Sequence, residues 1–503
     1  MNGRAVLAID QGTTGSRALV FGPGGVLVAS AYEEFPQHFP EPGRVEHDAM
    51  DIWRSVASTI EGALEGGDVR PGELGAVGIT NQRETTVVWD RATLDPVAPA
   101  IVWQDRRTAG RCEALRGTPD AARIRAATGL IVDPYFSATK LEWLLESDPD
   151  VARRAAAGEL AFGTVDSWLV ARLTGGAVHA TDPTNASRTL LFSLDDADWD
   201  EDLCSLFGVP RSLLPEIRPS AGDFGVTSAD AIGFELPITG VAGDQQAALY
   251  GQGCWTAGAA KNTYGTGAFL LLHTGSERGP DVEGVLTTAA CDAEGGLAYA
   301  YEGSILVAGA AIQWLRDGLG LIETAEQSEA MAASVEDSAG VAFVPALTGL
   351  GTPHWNPEAR GAFFGLTRGT TAAHLVRAVL ESMAHSTADV IDAMIRPGEL
   401  ALTELRVDGG AARNDWLMQA QADLVGHRVV RPQATELTAI GAAGLAGVGA
   451  GLWEGPEELS AARGEETEFR PGPRADRRAE ARRRAWRRAV DAVLEWTAAG
   501  GDT

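Results

Sequence analysis

The sequence predicts an α/β protein of two domains, each a mixed sheet flanked by helices, with a cleft between them. Three observations carry this. The chain has 503 residues, more than one hydrophobic core usually holds, so two units of about 200 to 250 residues are expected. Short strand patterns come first and then alternate with helical ones, the order of a mixed sheet with helices on its faces. The same order recurs after Gly251, weakly in letters but clearly in sequence of elements. That recurrence puts the boundary there, with residues 1–251 and 252–503 as the two domains. No Pro- or Ser-rich linker marks it, so the two are expected to pack closely and move as hinged lobes.

Taken in order, residues 4–9, 17–22 and 26–32 read as three short strands separated by the turns DQGTTG and GPGG, so the chain opens with hairpins. A helical stretch follows at 49–65, then the apolar strand LGAVGIT (74–80), then TVVWD, then helices at 104–117, 137–147 and 165–173. After Gly251 come strands around NTYGTG, FLLLHT and LAYAYEG, helices at 304–318 and 371–395, the strand LRVDGG (405–410), and helices at 413–425 and 436–450. The Arg- and Ala-rich stretch 474–498 reads as a final helix with a solvated charged face.

Composition narrows the function. Apolar residues make up 45% and charged residues 22%, ordinary for a folded globular protein. The net charge of -28 repels polyanions, which argues against nucleic acid or anionic lipid as partner. A phosphate-bearing ligand must then be held by local N–H groups and a cation. Cys112, Cys204, Cys254 and Cys291 are scattered without zinc-site or dithiol spacing, so free thiols in a reducing compartment are expected. No segment approaches the roughly 18 apolar residues of a membrane span, and a cytoplasmic protein is expected. Lys140 and Lys261 are the only lysines.

The stretch VAGDQQAALYG (241–251) organises the rest. An apolar run ends, Gly243 gives a tight turn, and Gln245 to Tyr250 continues as a helix, so Asp244 falls at a strand-to-helix corner. Two roles are open for it there. It can cap the helix, accepting hydrogen bonds from first-turn N–H groups, or it can do chemistry. Upstream lies DQGTTGSR (10–17) and downstream NTYGTG (262–267), two Gly- and Thr-rich turns that each follow a strand. Two such turns around one acid suit a phosphate clamp with a base between its jaws.

Phosphoryl transfer needs the polyphosphate neutralised, the acceptor hydroxyl held in line and its proton removed. Gly12, Thr13 and Thr14 let backbone approach phosphate oxygens, Asp10 at the strand end can hold a hydrated Mg2+, and Arg17 can meet phosphate. Taken alone, DQGTTG reads equally as a hairpin turn; paired with Thr263, Gly265, Thr266 and Gly267 and with VDGGAARN (407–414), whose glycines leave room for a flat purine, it reads as a nucleotide site. No Walker sequence is present, so this is not a P-loop protein. Arg83 and Glu84 in TNQRETTVVWD (80–90) are either a surface charge pair or a donor fork and an acceptor for vicinal hydroxyls. Trp103, Tyr135 and Phe269 suit a core as well as a ligand pocket on residue type alone.

These segments have a common context. DQGTTGSRA, PGRVEHD, TNQRETTVVWD, WQDRRTA, DPYFSATKLEWLL, TDPTNASRTLLF, AGDQQAALYGQ, KNTYGTG, EGSILVAGAAIQWLRD, PALTGLGTPHWNPEARGAFFGLTRG and RVDGGAARNDWLMQ occur in this order over almost the whole chain. Together they resemble the FGGY carbohydrate kinase family, within the actin, hexokinase and Hsp70 ATPase superfamily, and in it the branch that phosphorylates glycerol. The resemblance implies two RNase H-like domains with ATP, Mg2+ and a polyol in the cleft. It implies glycerol contacts from Arg83, Glu84, Trp103, Tyr135, Asp244, Gln245 and Phe269, with Asp244 as the base. Nucleotide contacts would come from Thr13, Thr14, Ser16, Arg17, Thr266, Gly309, Gln313, Gly410 and Asn414, with Asp10 holding Mg2+ through water. It further implies ATP-dependent formation of sn-glycerol 3-phosphate and a homo-oligomer, dimer or tetramer. Related pentulose kinases typically lack the Asn-Gln-Arg-Glu-Thr run, which favours glycerol. An actin-like or Hsp70-like ATPase would need the nucleotide turns but not the constellation of Arg83 and Glu84 with Asp244 and Gln245.

Overall fold

A computed structural model describes residues 5–396, 400–473 and 475–499. Residues 4 and 474, the expected starts of the first strand and the last helix, lie outside the described residues. The hairpins expected at the start are β1 (Ala5–Gln11), β2 (Gly15–Phe21) and β3 (Leu27–Glu34). β1 also pairs in parallel with β4 (Leu74–Asn81), and β4 with β5 (Ile238–Gly243), giving a mixed five-stranded sheet in the order β5-β4-β1-β2-β3.

The period-2 alternation of these strands splits their side chains between two helical layers. Leu7, Ile9, Ala18 and Val20 share a core with Ile52 and Val56 of α1 (Ala49–Gly66) and with Trp168 and Leu169 of α2 (Val165–Leu173). The Asp48 carboxylate starts α1 by accepting from Met50 N at 2.8 Å. Val6, Ala8, Leu19 and Phe21 point the other way, into a core that the second half of the chain completes.

Between β4 and β5 the chain builds a helical excursion with its own core around Phe136, Leu141, Phe162, Leu190 and Phe207. The helix expected at 104–117 begins only at Ala109 and ends at Arg116. Asp105 accounts for the delay: its carboxylate accepts from Val45 N and Arg107 N, both at 2.7–2.8 Å, and holds residues 105–107 in a turn. The helices expected at 137–147 and 165–173 form at Ser137–Ser147 and Val165–Leu173.

After α3 (Asp244–Gly251) a second, seven-stranded sheet begins. Its strands are β6 (Ala259–Tyr264), β7 (Ala268–Gly275), β8 (Leu286–Cys291), β9 (Leu297–Ile305), β10 (Glu404–Gly409), β11 (Val429–Pro432) and β12 (Glu466–Phe469), in the order β8-β9-β7-β6-β10-β11-β12. α4 (Ala372–Ile395) and α5 (Asp415–Val425) pack with Tyr264, Leu270, Leu272 and Tyr301 on one face. The expected helix at 304–318 is a correction: β9 runs on through Ile305 and the helix starts at Gly309. Thr352 takes the cause, since its N donates to Ser304 O at 2.9 Å and its hydroxyl accepts from Ser304 N at 3.1 Å, which keeps Ser304 extended.

The two halves interlock. α6 (Leu437–Gly449), from the second half, covers the inner face of the first sheet, with Ala439, Ile440 and Ala443 against Val6, Ala8 and Leu19. α3, from the first half, covers the second sheet, with Leu249 against Ala259, Leu271, Ala298 and Ala300. The two helices touch backbone to backbone. A Cβ on Gly441 would lie 1.8 Å from Ala247 O, and one on Gly251 would lie 2.1 Å from Leu437 O. α7 (Ala475–Ala498) closes the chain, with Trp486 and Val490 packed on Val344 and Ala346. Among the described residues no helix is long and apolar enough to cross a membrane, and all four cysteines are free and buried.

Candidate active site

The strand-to-helix corner lies between the two sheets. β5 ends at Gly243, which is the N-cap of α3 with no side-chain cap bond, and Asp244 is the first helical residue. Its Oδ1 accepts from Gln245 N at 2.7 Å and faces Arg83 Nε at 3.3 Å. Oδ2 has no hydrogen-bond partner among the described residues, and 34% of the side chain stays exposed to the cleft. Burial raises the Asp244 carboxyl from its ordinary value, and the charges of Arg83 and Lys261 pull it back only in part. One oxygen is thus fixed and the other left free, which suits a proton acceptor.

Arg83 and Glu84 follow β4 and are 3% and 1% exposed, so the surface-pair reading fails for them. Gly243 makes room for this, since a Cβ there would lie 2.7 Å from Arg83 Cγ and Cδ. Glu84 adopts φ +62°, a left-handed backbone that costs a side-chain-bearing residue roughly 1–3 kcal/mol. Its carbonyl accepts from Ser137 Oγ at 3.0 Å. Trp103 and Tyr135 meet edge to face at 5.6 Å, both half-buried, and form an aromatic wall beside this pair. The wall is tied to the first glycine-rich turn, because Trp103 Nε1 donates to Thr13 Oγ1 at 3.0 Å.

The second half contributes through register. Antiparallel partners point to the same face, and Thr263 pairs with Phe269, Lys261 with Leu271, Phe269 with Ser304, and Leu271 with Glu302. Lys261, Thr263, Phe269 and Glu302 therefore share the face that α3 covers. Lys261 Nζ donates to Gln245 Oε1 and, at 2.9 Å, to Thr263 Oγ1. Burial lowers this lysine, opposed by the charges of Asp408 and Asp244.

The first turn is closed by Gly12 N donating to Gly15 O at 2.9 Å, with Thr14 exposed and Thr13 half-buried. Gln37 Nε2 supports it by donating to Thr13 O at 3.0 Å, and His47 Nε2 pairs with Gln37 Oε1 at 2.7 Å. Arg17 pairs with Glu436, just before α6, and lies 5.2 Å from the Tyr32 ring centroid. Ser16 departs from the expected set. Adjacent strand residues face opposite ways, so with Arg17 toward α6 the Ser16 hydroxyl turns into the core, 2.8 Å from Ser55 Oγ of α1.

Thr266, Gly309, Gln313 and Gly410 line a single cavity of about 250 Å³ with Tyr264 and Ile312. Gly409, at φ +89°, brings this turn onto β6, where a Cβ would lie 2.3 Å from Tyr264 O. A Cβ on Gly410 would meet no atom within 4 Å, so only the cavity itself would be filled. Asn414 stands apart from this lining: its Oδ1 caps α5 by accepting from Leu417 N at 2.9 Å, while Nδ2 donates to Ser328 Oγ.

Asp10 is placed to feel a cation. Burial, and then the like charge of Asp244, raise its carboxyl to about 7 against the pull of Arg17. A carboxylate raised in this way by burial and a like charge suits a hydrated divalent ion that phosphate oxygens help to hold. Among the described residues no cluster of His, Cys, Asp or Glu would hold a metal by itself. Three buried charged residues of the site were missed from sequence: Arg188, Lys261 and Glu302, each 0% exposed. A single charge inside an otherwise apolar or small-residue strand, as in LAYAYEGSI and AAKNTY, was the available signal.

Similarity to known proteins accords with this geometry. Residues 5–251 match the N-terminal domain, and residues 260–450 the C-terminal domain, of the FGGY family of carbohydrate kinases. The chain is 55% identical over 494 residues to the glycerol kinase of Aromatoleum aromaticum, covering 98% of this chain and 99% of that one. It is 52% identical to the glycerol kinase of Dechloromonas aromatica, covering 98% of each. The crystal structure of Plasmodium falciparum glycerol kinase with ADP superposes with a TM-score of 0.92 at 33% identity, covering 98% of both chains. With both domain patterns matched and full-length relatives above half identical, the chain belongs to the FGGY family of carbohydrate kinases.

Proposed function

We propose that this protein transfers the γ-phosphoryl group of ATP to glycerol, giving sn-glycerol 3-phosphate and ADP. One observation carries the reading: a half-exposed carboxylate with one free oxygen, Asp244 Oδ2, stands between a buried polar pair, Arg83 and Glu84, and glycine-rich turns from both halves of the chain. Full-length relatives named glycerol kinase support the substrate, and the ADP complex of the Plasmodium relative supports the nucleotide.

In this reading Arg83, Glu84 and Gln245 pair with the glycerol hydroxyls, while Trp103, Tyr135 and Phe269 cover its carbons. A triol in such a site is recognised by satisfied buried polar groups, so an analogue without one hydroxyl leaves a group unpaired. Asp244 takes the proton of the attacking hydroxyl as that oxygen bonds to the γ-phosphorus and the bond to the β-phosphate oxygen breaks. Thr13, Thr14, Arg17 and Thr266 receive phosphate oxygens, and Gly309, Gln313 and Gly410 border the purine. Asp10 would hold Mg2+ through water, and the ion would offset phosphate charge. The division of the chain at Gly251 puts Arg83, Glu84 and Asp244 on one lobe and Lys261, Phe269 and Gly410 on the other. The product suits glycerol breakdown and lipid synthesis in the cytoplasm.

The test is product identification. Purified protein with Mg-ATP should release ADP only when glycerol is added, and a stereospecific sn-glycerol-3-phosphate dehydrogenase should oxidise the product. Nucleotide turnover indifferent to polyol would point instead to an ATPase of the wider superfamily.

A further inference from the structure

Beneath Arg83 and Glu84 lies a closed ring of four buried charges. Arg83 Nη1 and Nη2 donate to the two oxygens of Glu302 at 2.6 and 3.2 Å. Arg188 Nη2 donates to Glu302 Oε1 at 3.0 Å, and Arg188 Nε donates to Glu84 Oε1 at 2.7 Å. Arg83 Nε, 3.8 Å from Glu84 Oε1, closes the circuit. Arg188 and Glu302 are fully buried, and Arg83 and Glu84 at most 3% exposed. Glu302 comes from β9 and the other three from the first half of the chain, so the ring ties one sheet to the other.

We propose that Glu302 and Arg188 are positioning residues that dictate which hydrogen-bonding edges Arg83 and Glu84 offer to a polyol, and so set hydroxyl selectivity from below the site. The inference rests on the reading of the cleft as a glycerol site. Donor counting supports it. A guanidinium has five N–H groups. Nη1 of Arg83 spends its two on Glu302 and on Gln246 Oε1 at 3.2 Å, and Nη2 spends one on Glu302. What remains is one Nη2–H and the Nε–H that also faces Asp244, so Glu302 leaves Arg83 a single edge for a ligand. Arg188 does the converse for Glu84, occupying Oε1 and leaving Oε2 as the acceptor. Its own rotation is blocked by Tyr135 and Phe136, whose ring centroids lie 5.7 and 5.1 Å from Cζ.

Glu302 also accounts for the charge state. Burial alone would raise its carboxyl, but Arg188 and Arg83 outweigh burial and hold it at about 2, ionised at every working pH. A glutamine there would present one acceptor and one NH2 to two guanidinium groups, so one of them would have to turn away.

The experiment compares glycerol, propane-1,2-diol and propane-1,3-diol as acceptors at saturating Mg-ATP, for the full-length wild type, Glu302→Gln and Arg188→Lys. In both variants kcat/KM for glycerol should fall on the order of 10- to 100-fold, chiefly through KM, as expected for a lost charge-assisted hydrogen bond. For the diol that lacks the hydroxyl held by Arg83 and Glu84, kcat/KM should change less than about threefold, so selectivity collapses. The KM for Mg-ATP should hold. An equal fall for all three acceptors would mean a merely structural role and overturn the proposal, as would no change. If Glu302→Gln does not fold, Arg188→Lys alone decides, because it keeps the charge and loses the fork. A wild type without polyol-dependent turnover would overturn the glycerol reading itself, and this assignment with it.

Discussion

Arg83 Nε approaches Asp244 Oδ1 to 3.3 Å and joins the loop after β4 to the first turn of α3. That contact gives one guanidinium two tasks. It steadies the carboxylate proposed as base, and its remaining N–H edge is the one proposed to meet the polyol. Arg83→Lys keeps the charge but gives up the planar fork. The KM for glycerol should rise on the order of 10- to 100-fold, with a smaller fall in kcat. Steady-state kinetics on the folded variant check this. Lysine is the informative replacement, since alanine would leave Glu302 with a buried charge short of partners.

In the proposed role of Asp10 toward Mg2+, its raised carboxyl predicts that cation use depends on pH. At about 7 it is half protonated near neutrality. Below that value the proton competes with Mg2+, and above it the carboxylate is free. Between pH 8 and pH 6 the Mg2+ concentration for half activity should therefore rise about tenfold. Asp10→Asn should require more Mg2+ throughout and flatten this dependence. The check is a titration of activity with Mg2+ at several pH values for both proteins.

Gly410 tests the cavity proposed for the purine without disturbing the fold. A side chain there meets open space, so Gly410→Val should unfold with the wild type in urea yet raise the KM for Mg-ATP on the order of tenfold or more. Glycerol affinity should be untouched.

The helix crossing predicts a stability effect. In Gly441→Ala the new Cβ would fall 1.8 Å from Ala247 O, a backbone atom that cannot step aside. Overpacking of that severity should cost about 3 kcal/mol or more, while Gly72→Ala, which meets nothing within 4 Å, should stay within about 0.5 kcal/mol. Urea unfolding monitored by circular dichroism separates the two.

Much of this site was legible in the sequence because it is written in local grammar. Gly243 followed by Gln245 to Tyr250 marks a strand giving way to a helix, and Asp244 falls at that corner. The glycine-bearing turns 12–14 and 265–267 directly follow β1 and β6, so the segments 10–17 and 262–267 each begin at a strand end. Strand alternation also bears on the first turn: Ser16 and Arg17 are neighbours on one strand, so their side chains face opposite ways and the Ser16 hydroxyl meets Ser55. Partner choice at long range was not legible. Nothing near Arg188 in the chain names Glu84 or Glu302, which lie 104 and 114 residues away. The interlocked helices were hidden for the same reason: AIGAAGLAGVG reads as a helix of small residues, but only the fold shows that Gly441 is small to admit another backbone.

The most direct test replaces Asp244 by Asn and measures turnover and glycerol binding on the same folded protein. Asparagine keeps the shape and the oxygen that accepts from Gln245 N but cannot take a proton, so the first turn of α3 keeps its hydrogen bond. A positioned general base contributes about 100- to 10,000-fold, or roughly 3 to 5.5 kcal/mol of barrier. The account therefore predicts that kcat falls by that factor while the glycerol dissociation constant from calorimetry changes less than about threefold. A kcat within about threefold of wild type would contradict it.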